Sequence, residues 1–261
     1  MVQLITLSAL GVLFRMVSLF VLSLLLHRDS VVDIAWGPII VFISLLSFFL
    51  HGRGEPRQIL VTLLVSLWGT RLALYLLLRN QSREEETGYR QECERRGPLF
   101  PLRKFCQVYL LQGVLLLVIV FPVLMVNHFS RPGLLFTDLF ALSVWTVGFL
   151  FEVVADRQLY RFKREPRNYG KLLQSGLWSL SRHPNYFGEA LLWWGIAAFA
   201  WPLPGGWNAL ASPLLVTFLL LCVSGVPVLE DKWQSHPDFP EYRRRTSLFF
   251  PKPPRSRRNR E

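Results

Sequence analysis

Seven apolar blocks, each close to the length of a membrane-crossing helix, decide what this chain can fold into. They run over residues 2–26, 31–50, 58–78, 105–127, 134–154, 185–203 and 208–229. A helix needs about 20 mostly apolar residues to cross the hydrocarbon core of a bilayer, and the chain supplies that length repeatedly. Charged residues are confined to the gaps between blocks. The expectation is an all-α integral membrane protein, a bundle of seven transmembrane helices. So little remains outside the blocks that residues 1–252 read as a single membrane-embedded domain. The Pro- and Arg-rich residues 253–261 read as a disordered basic tail. The run from Val2 to Leu26 is too long for a secretory signal and lacks a small-residue cleavage site, so it reads as the first membrane helix.

The net charge is +11, which raises the question of nucleic acid. The distribution answers it. Of the 29 Lys and Arg, 24 fall in the segments 27–30, 79–104, 155–184 and 230–261, against three in the alternate segments, Arg53, Arg57 and Arg131. Cytoplasmic loops carry the excess of Lys and Arg, so the expected topology has the N-terminus out and the C-terminus in the cytoplasm, in a bacterial inner membrane. Nucleic acid is not an expected partner; membrane lipids are. The three cysteines, Cys93, Cys106 and Cys222, have neither disulfide nor metal-ligand spacing, and no metal is expected.

Ionisable residues at membrane depth cost roughly 2.5–3.5 kcal/mol each on insertion scales and are functional candidates by default. Here they are Arg15, Asp33, Arg71, Asp138, Glu152, Glu189 and Glu230. Those near helix ends reach water by extending their side chains. Asp33, Arg71 and Glu189 lie deeper and on different helices. They form either a structural ion pair or the lining of a shared polar cavity.

The segment from Gly176 to Glu189 carries the strongest signal, Gly-Leu-Trp-Ser-Leu-Ser-Arg-His-Pro-Asn-Tyr-Phe-Gly-Glu. Arg182 and His183 close a basic stretch, and Pro184 suits the first position of a helix, where its missing N–H costs nothing. The free N–H groups at that helix start favour an anion. Asp156, Lys163 and Lys171 lie upstream, and Tyr242, Arg243 and Arg244 downstream. This much charge at a cytoplasmic mouth suits a phosphate- or carboxylate-bearing cofactor; anchoring to acidic headgroups explains the charge equally well. Anchoring does not explain Asn185, Gly188 and Glu189 at fixed spacing, with Asn185 and Glu189 four apart on one face.

At these residues the sequence resembles the membrane superfamily of steroid 5α-reductases, sterol reductases and isoprenylcysteine carboxyl methyltransferases. The carriers are Ser181-Arg182-His183-Pro184-Asn185-Tyr186-Phe187-Gly188-Glu189 after Gly176-Leu177-Trp178, and the tail Pro240-Glu241-Tyr242-Arg243-Arg244-Arg245 ending in Phe249-Phe250-Pro251. It is most similar to a largely bacterial branch on the steroid 5α-reductase side, where Asp33…Trp36-Gly37, Leu67-Trp68-Gly69…Arg71 and Leu110-Leu111-Gln112-Gly113 also recur. The resemblance implies an NADPH-dependent reductase with its cofactor entering from the cytoplasm and a lipid-like enone from the bilayer. It implies that Asn185 lies at the nicotinamide, that Glu189 lies beside the substrate, and that Asp156 and Lys163 belong to a loop holding the adenosine part. Arg71, Lys171, Arg182, His183, Tyr186, Tyr242, Arg243 and Arg244 join the implied cofactor set. Asp33 falls near the position of an acid that binds the substrate ketone. Trp68 stands where the steroid enzymes use a Tyr, with Tyr75 two turns on.

Hydride addition to a conjugated ketone builds negative charge on the carbonyl oxygen, so the site needs a positioned donor in a dry setting. Burial raises a carboxyl pKa, and Asp33 or Glu189 kept protonated, with Trp68 or Tyr75 beside it, would meet that need. The leading expectation is an NADPH-dependent ene-reductase of a steroid-like or isoprenoid lipid. An S-adenosylmethionine-dependent methyltransferase of a lipid-borne carboxylate or thiol is the alternative, because Arg182-His183-Pro184-Asn185-Tyr186 also fits that spelling. A non-enzymatic lipid-binding protein is the third reading.

Overall fold

The computed structural model describes residues 1–26, 30–79, 100–129 and 132–255, without the side chains of residues 30, 31, 33, 79 and 100. The charged loop at 80–99 with Cys93, the His27–Asp29 turn, Arg131, the tail from residue 256 and the side chain of Asp33 lie outside the described residues.

The described residues are helical and contain no strand; one isolated parallel bridge joins Ser181 to Ser247. The long elements are α1 (Val2–Leu26), α2 (Ser30–His51) and α3 (Pro56–Arg79). Next come α4 (Phe100–Lys104), a π-turn at Phe105–Leu110 and α5 (Leu111–His128), which run on as one rod. They are followed by α6 (Phe136–Arg164), the single-turn α7 (Leu177–Leu180) and α8 (Pro184–Ala200). Then α9 (Ala211–Phe218) leads through a second π-turn (Leu219–Val223) to α10 (Val226–Trp233) and α11 (Phe239–Arg245).

Among the described residues six helical stretches are long and apolar enough to cross a membrane: Val2–Leu26, Ile34–His51, Pro56–Leu78, Pro101–His128, Phe136–Arg164 and Gly206–Trp233. The protein is a multi-pass membrane protein. The remaining expected block, 185–203, forms α8, which has 17 residues and spans about 26 Å at about 1.5 Å per residue. It stops at Ala200 because Pro202 follows, and the residue before a proline is pushed out of the helical region.

The fifth block departs from expectation in the other direction. It continues ten residues past 154, to Arg164, so Asp156 and Lys163 sit on a helix and not in a loop. Nothing between 154 and Glu165 breaks a helix, and Arg161, Lys163 and Arg164 in the last turn complement the negative end of its dipole. Pro166 then ends it.

The chain divides into two compact units. Unit 1 comprises Met1–Leu135 with Phe199–Ser212; unit 2 comprises Phe136–Ala198 with Pro213–Glu261. In unit 1 the most extensive helix pairing is α2 with α3. Its centre is backbone on backbone: a Cβ on Gly37 would lie 2.2 Å from the Gly69 carbonyl oxygen, and one on Gly69 would lie 2.8 Å from that of Gly37. Small residues let membrane helices approach this closely when no solvent drives them together. Unit 2 uses the same device between α6 and α8, where a Cβ on Gly188 would fall 2.5 Å from the Glu152 nitrogen and one on Gly148 would fall 2.5 Å from the Leu192 nitrogen.

Candidate functional site

Within unit 2, the C-terminal turns of α6, the segment Asn168–Leu173, α7, the Arg182-His183 step, α10 and α11 enclose a cleft of about 410 Å³. That volume is in the range of small-molecule sites, roughly 300–1,000 Å³. The cleft has apolar and aromatic walls, among them Phe162, Trp178, Trp233 and Phe239, and its polar side chains include Lys163, Asn168, Lys171, Arg182, His183, Glu230 and Tyr242.

Its floor is built by side chains that hold backbone. Ala155, Leu173 and Trp178 form a buried cluster, and the Trp178 indole N–H donates to the Ala155 carbonyl at 3.1 Å. The Tyr242 hydroxyl donates to the Trp178 carbonyl at 2.6 Å, and burial pushes that phenol above its ordinary pKa near 10.0. Gly176 turns the chain into α7 at φ +62°, where a side chain would be strained and would also meet Gln158. Gln158 instead accepts the Leu177 N–H at 3.0 Å.

Arg182 is the keystone of the opposite wall. Its Nε donates to Glu230 Oε1 at 2.6 Å, and one terminal nitrogen donates to the carbonyls of Arg243, at 2.9 Å, and Thr246, at 3.2 Å. It thereby caps the carbonyl end of α11, where a cation is favourable. With Arg182 only 7% exposed and Glu230 16% exposed, this is a mostly buried pair. His183 lies 3.4 Å from the same Glu230 oxygen and stacks flat on Tyr186, with ring centres 5.6 Å apart. The His183 side chain is 6% exposed, yet its Nδ1 has no hydrogen-bond partner. His236 is fixed in one tautomer: Nε2–H donates to the Gly170 carbonyl at 2.7 Å and Nδ1 accepts the Asp238 N–H at 3.2 Å, which holds the rim of the cleft.

Five of the sequence-expected cofactor residues, Lys163, Lys171, Arg182, His183 and Tyr242, line this cleft together. Asn185 and Asp156 meet each other: the Asn185 amide donates to Asp156 Oδ1 at 3.2 Å and ties the first turn of α8 to α6. The other amide atom of Asn185, Oδ1, is buried with no partner. Glu189 is half-buried one turn further along α8. Arg243 contributes its carbonyl to Arg182 and also lines a second cleft. Arg244 is 65% exposed and pairs with Glu241.

Arg71, Trp68 and Tyr75 belong to unit 1, on α3. Trp68 is buried, Arg71 and Tyr75 are half-buried, and their spacing of three and then four places all three on one helical face. Asp33 lies on α2 one turn before Gly37. Arg15, the other cation inside an apolar block, sits over the Phe42 ring with 4.4 Å to the ring centre, a cation–π contact that satisfies it locally. Glu230 is the residue that sequence reasoning undervalued. Its signal was a carboxylate at the end of the last apolar block; what placed it in the cleft was Arg182, 48 positions away.

A family model described as "Protein of unknown function (DUF1295)" matches residues 19–246. The chain is also similar to the steroid 5-alpha-reductase DET2 of Arabidopsis thaliana, 37% identical over 62 residues, which is 24% of this chain and 24% of that protein. The corresponding DET2 of Gossypium hirsutum is 36% identical over 64 residues, 24% of this chain and 25% of that one. Each similarity thus spans about a quarter of the relative's length. No solved structure matches the chain.

Proposed function

This chain belongs to the DUF1295 family, in the steroid 5α-reductase-like superfamily, and we propose that it works as a membrane-embedded, NADPH-dependent reductase of a carbon–carbon double bond conjugated to a ketone in a steroid-like or isoprenoid lipid. The observation that carries the reading is the unit 2 cleft: aromatic walls, two lysines and an orphaned, nearly buried imidazole nitrogen in one enclosure. These groups fit a phosphate-bearing, ring-bearing cofactor. Flat walls such as Trp178 and Trp233 suit rings, and Lys163 and Lys171 suit phosphate. The Nδ1 of His183 awaits a polar partner, because a buried polar atom without one is costly. Bound there, NADPH would supply the hydride; the chain's part is binding, orientation and exclusion of water.

Arg182 and Glu230 neutralise one another and set the shape of the cleft, and Lys163 and Lys171, which line it, are assigned to the anionic groups of the ligand. The Asn185–Asp156 bond fixes the direction of the Asn185 amide and leaves its Oδ1 to accept from an amide of the ligand. Glu189, one turn on, is assigned to the substrate side. In the bilayer, we assign seven crossings with α8 as the short one, the N-terminus outside and the cleft and C-terminus in the cytoplasm of a bacterial cell. The lipid substrate enters from the bilayer.

Mass spectrometry of the purified protein tests the reading directly. NADP(H) should co-purify. Co-purified S-adenosylmethionine would instead establish the methyltransferase reading, and an empty protein that also fails to bind added NADPH would favour a lipid-binding role.

A further inference from the structure

Two segments that line the unit 2 cleft come from distant parts of the chain and are tied to each other where they meet. One is the rim segment Asn168–Leu173; the other is the end of α10 with the turn into α11, which brings Trp233 and Phe239. The turn is fixed from within, since the His236 N–H donates to the Trp233 carbonyl at 2.9 Å and the Phe239 N–H to the His236 carbonyl at 3.0 Å. The rim is fixed at its two ends. The Asn168 side-chain amide donates to the Phe162 carbonyl at 3.1 Å, and Leu173 is buried with Ala155 and Trp178. Between these anchors lie Tyr169, Gly170, Lys171 and Leu172, with Tyr169 95% exposed and Gly170 at φ +73°.

The tie across is His236. Its Nε2–H donates to the Gly170 carbonyl at 2.7 Å, its Nδ1 accepts the Asp238 N–H at 3.2 Å, and its ring meets Trp233 edge-on with 5.5 Å between ring centres. One nitrogen fastens the ring to its own turn. The other reaches 66 positions back along the chain to the rim. A hydrogen bond between groups that water can reach is readily exchanged for one to water. Glycine turns its peptide without steric cost, so this bond can open while both anchors hold. The inner groups that a ligand must reach lie deep: the His183 side chain is 6% exposed and its Nδ1 has no partner.

We propose that the His236–Gly170 bond is the latch of a gate over the cleft: Tyr169–Leu172 swing away from the α10–α11 turn to pass the ligand, and the latch then closes the rim behind it. The proposal rests on the reading of the cleft as the ligand site, and it holds for whichever anionic cofactor occupies that site. His236 acts through the rim and touches no reacting atom. Segments that move at binding sites are drawn from the least stable parts of a fold, and a short exposed rim between two firm anchors is such a part.

Two variants of the full chain, purified in detergent, separate the two ring nitrogens. Asn carries its polar atoms about where His carries Nδ1, and Gln about where His carries Nε2. His236→Asn therefore keeps the bond to Asp238 and loses Gly170, whereas His236→Gln keeps a donor for Gly170. Hydrogen exchange followed by mass spectrometry reads the gate without any ligand. The Tyr169 and Lys171 amides, which bond to the Pro166 and Asn168 carbonyls, should exchange on the order of fivefold faster in His236→Asn and at nearly the wild-type rate in His236→Gln. The Leu177 amide, held by Gln158 beyond the far anchor, should not change in either variant. With NADPH as the probe in stopped-flow binding, His236→Asn should raise the association and dissociation rates together, by roughly fivefold, and change Kd by less than about twofold. A lost ligand contact would raise dissociation alone, and that result overturns the gate. So does wild-type exchange at the rim of His236→Asn, or an equal acceleration at Leu177, which would mean general loosening. A chain that binds no NADPH refutes the reductase reading instead, and the exchange rates still decide the latch.

Discussion

Unit 1 and unit 2 solve the same problem, holding helices at fixed distance, with a different balance of the same forces. In unit 1 the central contact is bare, the backbones of Gly37 and Gly69 meeting, and side chains hold backbone carbonyls away from it, as Gln58 does for Asn127 and Asn127 for Ser44. In unit 2 the glycine contact between α6 and α8 is supplemented, beyond the apolar zone, by side chains that reach across to hold backbone carbonyls: Arg182, Trp178, Tyr242 and Ser181 all do so. The difference follows from the solvent. In lipid, packing and a few interhelical hydrogen bonds are the available forces. Where water reaches, loops must be pinned by specific polar bonds or they open. A latch can fail singly, whereas a backbone contact tolerates no insertion at all.

The largest effect should come from the latch that carries charge. Arg182→Leu leaves Glu230 buried without its cation and frees two carbonyls at the end of α11. Breaking a buried pair from one side costs about 3–5 kcal/mol, so the melting temperature should fall steeply and the cleft should lose NADPH binding. The double change Arg182→Leu with Glu230→Leu should recover part of the stability and none of the binding. A single mutant as stable as wild type would mean the pair is ornamental and the contrast between the units is false.

Gly37→Ala tests the other side of the comparison. The added methyl group would sit at 2.2 Å from a carbonyl oxygen, which only separation of α2 and α3 relieves. Overpacking costs about 1–3 kcal/mol, and a clash with backbone belongs at the top of that range. Because Trp36 and Trp68 flank the contact, turnover should fall with stability in this mutant. NADPH binding, which the reading places in unit 2, should be largely kept. Measuring both on one preparation separates the units experimentally.

Tyr242→Phe is milder. It deletes the hydroxyl that donates to the Trp178 carbonyl, at about 1–2 kcal/mol. The sign of its pH dependence is fixed. Burial raises the phenol pKa above its ordinary value near 10.0, so its contribution is fully present below pH 10 and is lost as pH rises through the folded-state value. Melting temperatures of wild type and mutant should therefore converge in strong alkali and stay apart at neutral pH.

Much of this was legible in sequence, for a physical reason: membrane helices are specified locally, by block length. That is why α1, α2 and α3 fall within a few residues of their blocks. Two ends were misplaced because they depend on single residues against a long apolar background. Pro202 shortens α8, and the absence of any breaker before Pro166 lengthens α6. In the cleft, Lys163, Lys171, Arg182, His183 and Tyr242 were legible from charge and motif. Their division of labour was not. Whether an arginine binds a ligand or caps a helix depends on what folds up beside it, and Glu230, Arg243 and Thr246 lie 48 to 64 positions from Arg182.

That division yields the smallest and sharpest contrast, between two cations that sequence alone treats as equals. Lys163 lines the cleft; Arg244 stands outside it, 65% exposed and already engaged by Glu241. An exposed pair of this kind contributes little to stability, and a cation outside the enclosure is screened from an anion within it. NADPH differs from NADH by a phosphate that needs cationic partners. Lys163→Ala should therefore weaken NADPH binding by about tenfold, or about 1.4 kcal/mol, with little change for NADH. Arg244→Ala should change either affinity by less than about twofold. Melting temperature should not move in Arg244→Ala, because its pair with Glu241 is exposed. Equal losses in the two would show that the attraction is a diffuse field of the basic surface. A loss in Arg244→Ala alone would move the phosphate out of the cleft and onto the surface of α11, and the enclosure would then need a different ligand.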